Sequence, residues 1–309
     1  MSMPTYFPYR SEAAKDSYLA YYDSLALKRW PVASEKRVVA TSYGETFVRI
    51  TGPADAPPLV LLPGAVATSL MWAPNIRELS EACRTYAVDM IGDVGRTTCT
   101  KPVRHAADLL AWLDELFDAL DLDEGVSLTG VSYGGWLTLQ YAAHAPERLS
   151  TAIPLAPGGA VLRISARFMV SLVLAGMFSR WLLQPLCRWI FADMVRKEPE
   201  WLDALLDEMR MGMRSLGPRS LPMPSTWTDA QWQALSVPTL FLVGEHETIY
   251  DSREAMLRLK RVAPEVRTEI IPGAGHDLSI VQAEKVDRKI IDFVKQRTVL
   301  REPAGFGSR

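Results

Sequence analysis

The sequence predicts an α/β protein with a mostly parallel central sheet, an antiparallel start, helices on both faces and an inserted helical cap. Three observations carry this expectation. From residue 59 onward, short apolar runs alternate with stretches of helical period, the pattern of successive βαβ units. One such stretch holds Leu109, Trp112, Leu113, Leu116, Phe117 and Leu120 at i, i+3, i+4, i+7 spacing, so one face should pack on a sheet. The interval 158–238, between the fourth and fifth runs, far exceeds one helix with connections of about 2 to 6 residues.

Taken in chain order, residues 12–29 carry Tyr18, Tyr21, Tyr22, Leu25 and Leu27 with few breakers, which predicts a leading helix. Arg37 to Ser42 and Thr46 to Thr51 read as strands joined by a turn at Tyr43-Gly44-Glu45. The parallel strands are expected at 59–64, 85–92, 125–132, 151–157, 239–244 and 268–273. The insertion gathers Phe168, Met169, Met177, Phe178, Trp181, Trp189, Phe191 and Met194, then a more polar piece from Lys197 to Met213. Pro218, Pro222 and Pro224 lead back to the sheet, and Arg301 to Arg309 reads as a loose tail. The core domain is thus expected over 1–157 and 239–309, with the cap over 158–238.

Composition narrows the function classes. The 309 residues are 48% hydrophobic and 23% charged with a formal net charge of -2, an ordinary globular mix without the basic field that nucleic-acid binding requires. Cys83, Cys99 and Cys187 lack C-x-x-C spacing, so neither a disulfide framework nor a zinc site is expected. The first residues do not form a basic segment followed by an apolar one. The greasiest region, 168–195, is broken by Arg180, Pro185, Arg188 and Asp193, too soon for a membrane span. The expectation is a cytoplasmic protein without a membrane span.

The chemistry gathers at Gly130-Val131-Ser132-Tyr133-Gly134, a G-x-S-x-G pentapeptide after an expected strand and before a helix beginning near Gly135. A sharp strand-to-helix turn exposes the serine there, and only glycine fits where the two elements crowd. A serine hydroxyl needs a base. Of the four histidines, His105 and His144 sit at helix ends and His246 in an acidic loop, whereas His276 follows the last expected strand at the sheet's carboxyl edge. The strand ending at Gly244 opens into Glu245, Glu247 and Asp251. Glu247, three residues beyond Gly244, is preferred as the acid that orients the imidazole, with Asp251 second and Glu245 third. Serine, acid, histidine is the chain order of α/β-hydrolases. The backbone N–H of Tyr133 should supply one oxyanion donor and that of Ala65, in Pro63-Gly64-Ala65-Val66-Ala67, the other.

Together PPLVLLPGAVATSLMWAPNI (57–76), RTYAVDMIGD (84–93), GVSYGG (130–135), GEHETIYD (244–251) and GAGHDLSI (273–280) resemble the α/β-hydrolase superfamily, more narrowly bacterial carboxylesterases of the naproxen-esterase type. The resemblance implies that Ser132, Glu247 and His276 match the family triad and that Ala65 and Tyr133 match its oxyanion positions. One departure stands out: Pro63 occupies the place where the family pattern usually has His before Gly, so a side-chain hydrogen bond that helps shape that loop is missing.

The expected activity is serine hydrolysis of a carboxylic ester with an apolar acyl or aryl group, through an acyl-enzyme and without metal or organic cofactor. Val66, Met71, Trp72, Tyr133 and Tyr250 are candidate pocket residues. Thioesterase, lactonase and C–C bond hydrolase use the same machinery, and a slow-turnover ligand sensor would keep the fold.

Overall fold

A computed structural model describes residues 7–171, 180–217 and 221–301. Met177, Phe178, Pro218 and the tail beyond Arg301 lie outside the described residues, and Trp181 is described by its backbone alone.

The described residues form one nine-stranded sheet: β1 Glu35–Thr41, β2 Gly44–Thr51, β3 Pro58–Leu62, β4 Arg84–Val88, β5 Thr98–Cys99, β6 Val126–Val131, β7 Leu149–Leu155, β8 Leu240–Gly244 and β9 Arg267–Ile271. The order is β1-β2-β4-β3-β6-β7-β8-β9, with β5 beside β2. β2 runs antiparallel to β1, β4 and β5, and the pairs from β4 to β9 are parallel. The apolar runs look continuous because alternate residues enter two different cores. Val60, Leu62, Leu128, Phe241 and Val243 face helices α3 (Ala106–Ala119) and α4 (Tyr133–His144), where Trp112, Leu113, Leu116 and Trp136 are fully buried. Leu59, Leu61, Ile153, Leu240 and Leu242 face the other way, onto Ile76 and Leu79 of α2 (Ile76–Ala82) and Val286 and Ile290 near the carboxyl end.

The first hairpin differs from its expected form. Its turn lies at Ser42-Tyr43, and Gly44 already belongs to β2 with φ 137°. A Cβ there would stand 2.1 Å from the Thr98 carbonyl oxygen, because β5 pairs beside it. Glycine is required by that neighbour as well as by its positive φ, and two-residue β5 has no periodicity to announce it.

β7 carries Pro154 in the middle of the sheet. Ala152 N–H donates to the Pro238 carbonyl and Ala156 N–H to the Leu242 carbonyl, both toward β8. Pro154 lies between them with no N–H to give, so the β7–β8 ladder is sparse where the long segment departs and returns. Between these strands come α5 (Arg180–Ile190), α6 (Ala192–Lys197), α7 (Pro199–Ser215) and the one-turn α8 (Asp229–Gln233). The leading helix α1 spans Glu12–Arg29, where it was expected, and Tyr18 and Tyr22 are buried beside Phe47 and Leu70.

Candidate active site

β6 ends at Val131 and α4 starts at Tyr133, two residues before the expected start, so Ser132 alone makes the turn. Its backbone is at φ 55°, ψ -109°, a conformation that L-residues rarely adopt. Three hydrogen bonds hold it there. Ser132 N–H donates to the Leu155 carbonyl at 2.9 Å, and its own carbonyl accepts from Trp136 and Gly158 at 2.9 and 3.0 Å. The glycines answer to contact: a Cβ on Gly130 would meet the Gly134 carbonyl carbon at 2.3 Å, and one on Gly134 would meet the Pro63 oxygen at 2.5 Å. Tyr133 N–H belongs to the first turn of α4, where such groups lack helical partners and the dipole favours negative charge. Its side chain turns away, donating its hydroxyl to the Pro222 carbonyl at 2.8 Å.

Glu247 and His276 stand on the loops after the neighbouring strands β8 and β9. Glu247 Oε2 lies 2.9 Å from His276 Nδ1, with side-chain exposures of 0% and 7%. The other oxygen, Oε1, accepts the backbone N–H groups of Thr248 and Ile249 at 2.8 and 2.9 Å, which fixes the carboxylate's orientation. Burial pushes the His276 pKa down, but the charge and hydrogen bond of Glu247, with the Asp277 charge, more than offset it, leaving a net rise above 6.5. With Nδ1 engaged by Glu247, Nε2 is the nitrogen left for a proton from substrate or serine. Among the described residues Ser132 Oγ makes no hydrogen bond; the acid and imidazole are assembled, whereas the serine-imidazole bond is not formed.

The alternative acids and histidines have other occupations. Asp251 caps helix α9 (Ser252–Val262), accepting Glu254 N–H at 2.8 Å, and Glu245 accepts Gly273 N–H at 3.0 Å. His105 is the N-cap residue of α3, and His144 pairs with Asp114 at 2.7 Å on the surface. Half-exposed His246 places Nδ1 2.9 Å from Asp193, a carboxylate of α6 that is 1% exposed.

Ala65 is exposed on the loop after β3, and Val66 is half-buried with φ 58°. Met71 lies beside this loop, its sulfur accepting Gly64 N–H at 3.2 Å. Trp72 departs from the pocket expectation: it is 0% exposed among Ile76, Leu79 and Val131, because the 3-10 turn Ser69–Trp72 directs it under the sheet. Tyr250 is likewise buried, 4% exposed, and both burial and the Glu247 charge hold its hydroxyl neutral far above its ordinary range.

Two contacts escape the sequence. Phe191, between α5 and α6, sets its ring 6.3 Å from that of His276. Asp277 accepts Met194 N–H at 2.7 Å and Gly275 N–H at 3.1 Å, tying the histidine loop to α6. Neither has a local signal, because each pairs residues far apart in the chain. Among the described residues, no three His, Cys, Asp or Glu side chains gather as a metal-holding group, and no helix is long and apolar enough to cross a membrane.

Known proteins resemble this chain over most of its length. Carboxylesterase YbfK of Bacillus subtilis is 34% identical over 288 residues, covering 90% of this chain and 93% of that protein. The uncharacterized carboxylesterase nap of the same organism is 34% identical over 289 residues, covering 91% and 93%. The crystal structure of Bacillus subtilis naproxen esterase (carboxylesterase NP) superposes with TM-score 0.82 at 31% identity, covering 92% of this chain and 99% of that one. Residues 59–288 match the alpha/beta hydrolase family. With a sheet order, a strained serine turn and a buried acid–imidazole pair that all suit that fold, the chain belongs to the alpha/beta hydrolase family.

Proposed function

We propose that this chain is a serine carboxylesterase in which Ser132 is the nucleophile, His276 the base and Glu247 the orienting acid. The observation that carries the reading is the buried Nδ1–Oε2 contact of 2.9 Å on the loops of β8 and β9, at the same sheet edge as the Ser132 turn. In the first half-reaction Ser132 Oγ attacks the ester carbonyl carbon while its proton passes to His276 Nε2. Glu247 stabilises the resulting imidazolium, and the N–H groups of Tyr133 and Ala65 receive the oxyanion. Collapse of the tetrahedral adduct breaks the bond to the alcohol, which leaves with the proton from His276. Water, deprotonated by His276, then attacks the acyl carbon; the bond to Ser132 Oγ breaks, the acid leaves, and His276 returns the proton to Oγ. The serine–imidazole hydrogen bond closes when substrate arrives, as is common for catalytic bonds loose in the free enzyme.

The helices between β7 and β8 act as a cap, and Phe191, Met71 and Val66 supply apolar contacts for an acyl or aryl group. The setting is cytoplasmic and no cofactor takes part. Fluorophosphonate labelling with burst kinetics on a p-nitrophenyl ester tests the reading. Labelling at Ser132 with many turnovers supports it, whereas single-turnover capture would make the protein a ligand sensor. A screen over acyl length that includes thioesters and lactones then fixes the bond cleaved.

A further inference from the structure

Three consecutive N–H groups of the loop after β3 have different fates. Gly64 N–H donates to Met71 Sδ at 3.2 Å and Val66 N–H to Asp93 Oδ2 at 2.9 Å. Ala65 N–H, between them, has no acceptor among the described residues, and Ala65 is exposed. Pinning the peptides on either side of a residue removes the rotations that would swing its own N–H, so the middle donor is held out without being spent. Pro63 has no side-chain donor or acceptor to do this work from within the loop.

The grip on Val66 opposes a backbone preference. A β-branched residue at φ 58° is disfavoured sterically, and such a conformation persists only where its surroundings enforce it. Asp93 is placed to enforce it. The residue is 1% exposed on the loop between β4 and β5, and Oδ1 accepts its neighbour Val94 N–H at 2.8 Å while Oδ2 reaches Val66. A charged acceptor makes a stronger bond to an amide than a neutral one does.

We propose that Asp93 is the positioning residue of the oxyanion hole, holding Val66 in its left-handed conformation so that Ala65 N–H faces the oxygen developing above Ser132. This rests on the esterase reading given above. Asp93 touches no reacting atom; it acts through the Ala65–Val66 peptide. An asparagine at this position retains one acceptor and turns an NH2 group toward one of the two amides, so Asp93→Asn should release the grip with little change in volume.

The test measures p-nitrophenyl ester kinetics, inhibition by phenylboronic acid and amide exchange at Val66 in the wild type, Asp93→Asn and Asp93→Asn/Val66→Gly. Phenylboronic acid forms an O–B bond with Ser132 Oγ as the serine proton passes to His276, and the anionic tetrahedral boronate places one of its oxygens in the hole. The expected result for Asp93→Asn is a kcat lower by about 10- to 100-fold with KM within about twofold, a parallel loss of boronate affinity, and loss of Val66 exchange protection. The acid limb of the pH profile should stay where it is, since His276 and Glu247 set it. Glycine takes positive φ freely, so Val66→Gly should recover part of kcat in the Asp93→Asn background. Lost protection at Val66 with unchanged kcat and boronate affinity overturns the proposal while leaving the esterase reading intact. Undiminished turnover in Ser132→Ala overturns both.

Discussion

Ser132 and Val66 both occupy the left-handed backbone region, at φ 55° and φ 58°, yet they are held there by different means. At Ser132 the constraint is local and steric. A strand runs into a helix within one residue, backbone bonds to Leu155, Trp136 and Gly158 close the turn, and glycines on either side admit the crowding. At Val66 the constraint comes from side chains remote in sequence. Asp93 takes the Val66 N–H, Asp89 takes the Ser69 N–H at 2.8 Å, and Glu208 of α7 takes the Thr68 hydroxyl at 2.8 Å. The turn at Ser132 is therefore held by backbone geometry, and the loop after β3 by the carboxyl groups of Asp93, Asp89 and Glu208 at Val66, Ser69 and Thr68. The first should tolerate almost no change in its glycines; the second should respond to changes of charge.

The most severe test of the steric side is chemical. Ser132→Ala should lower ester turnover by roughly 10⁴-fold or more while the unfolding midpoint stays within a few degrees, because the turn is held by backbone bonds and not by the hydroxyl. Residual turnover near that of the wild type would remove the nucleophile from this site.

Glu247→Gln should cost roughly 10³- to 10⁴-fold in kcat, since the buried imidazolium loses its counter-charge. Its pH profile carries the sign. In the wild type, kcat/KM should fall as pH drops through the raised His276 pKa, above 6.5, because a protonated imidazole accepts no proton. Without the carboxylate, burial remains to lower that pKa, so the acid limb should move to lower pH; a limb that stays put would assign the rise to another group.

Gly134→Ala sharpens the contrast from the side of stability. Its Cβ would lie 2.5 Å from the Pro63 oxygen and 2.7 Å from the Leu62 oxygen, backbone atoms at the end of β3 and just beyond it. A loss of about 3 kcal/mol in denaturant unfolding is expected. A change below 1 kcal/mol would mean that the strand gives way easily.

On the carboxylate side, burial raises the Glu208 pKa from 4.5 to about 7 against the hydrogen bond from Thr68 and the Arg29 charge. The folded state thus holds this proton more tightly than the unfolded one, and the group's contribution to stability is lost as pH climbs from about 4.5 to 7. Over that window the loss is about 3 kcal/mol. Glu208→Gln should remove this slope and leave the protein more stable than the wild type at pH 8, as measured by denaturant midpoints across pH; parallel curves for the two proteins would refute it. The smallest effect is expected at Asp251→Asn, within about 0.5 kcal/mol and twofold in kcat, because asparagine caps a helix as well as aspartate does.

Much of the fold is legible from the chain alone. The run Leu59 to Leu62 reads as a strand buried on both faces, and its residues do alternate between two cores. Glu12–Arg29 and Ala106–Ala119 announce themselves by their spacing. β5 does not, since two residues carry no period, and the role of Gly44 depends on that strand. Trp72 was misleading for a related reason: an aromatic beside a loop looks like a pocket wall until the chain's path turns it inward.

At the candidate site the sequence by itself marked the serine turn and the strand ends that carry an acid and a histidine, because each is a pattern of residues within a few positions of one another. Only the tertiary structure decided which of three acids meets the imidazole, and what holds Val66 and Thr68. Those contacts join positions 29, 27 and 140 residues apart. A carboxylate's partner is chosen by distances of a few ångströms in space, and no local pattern of residue types encodes them.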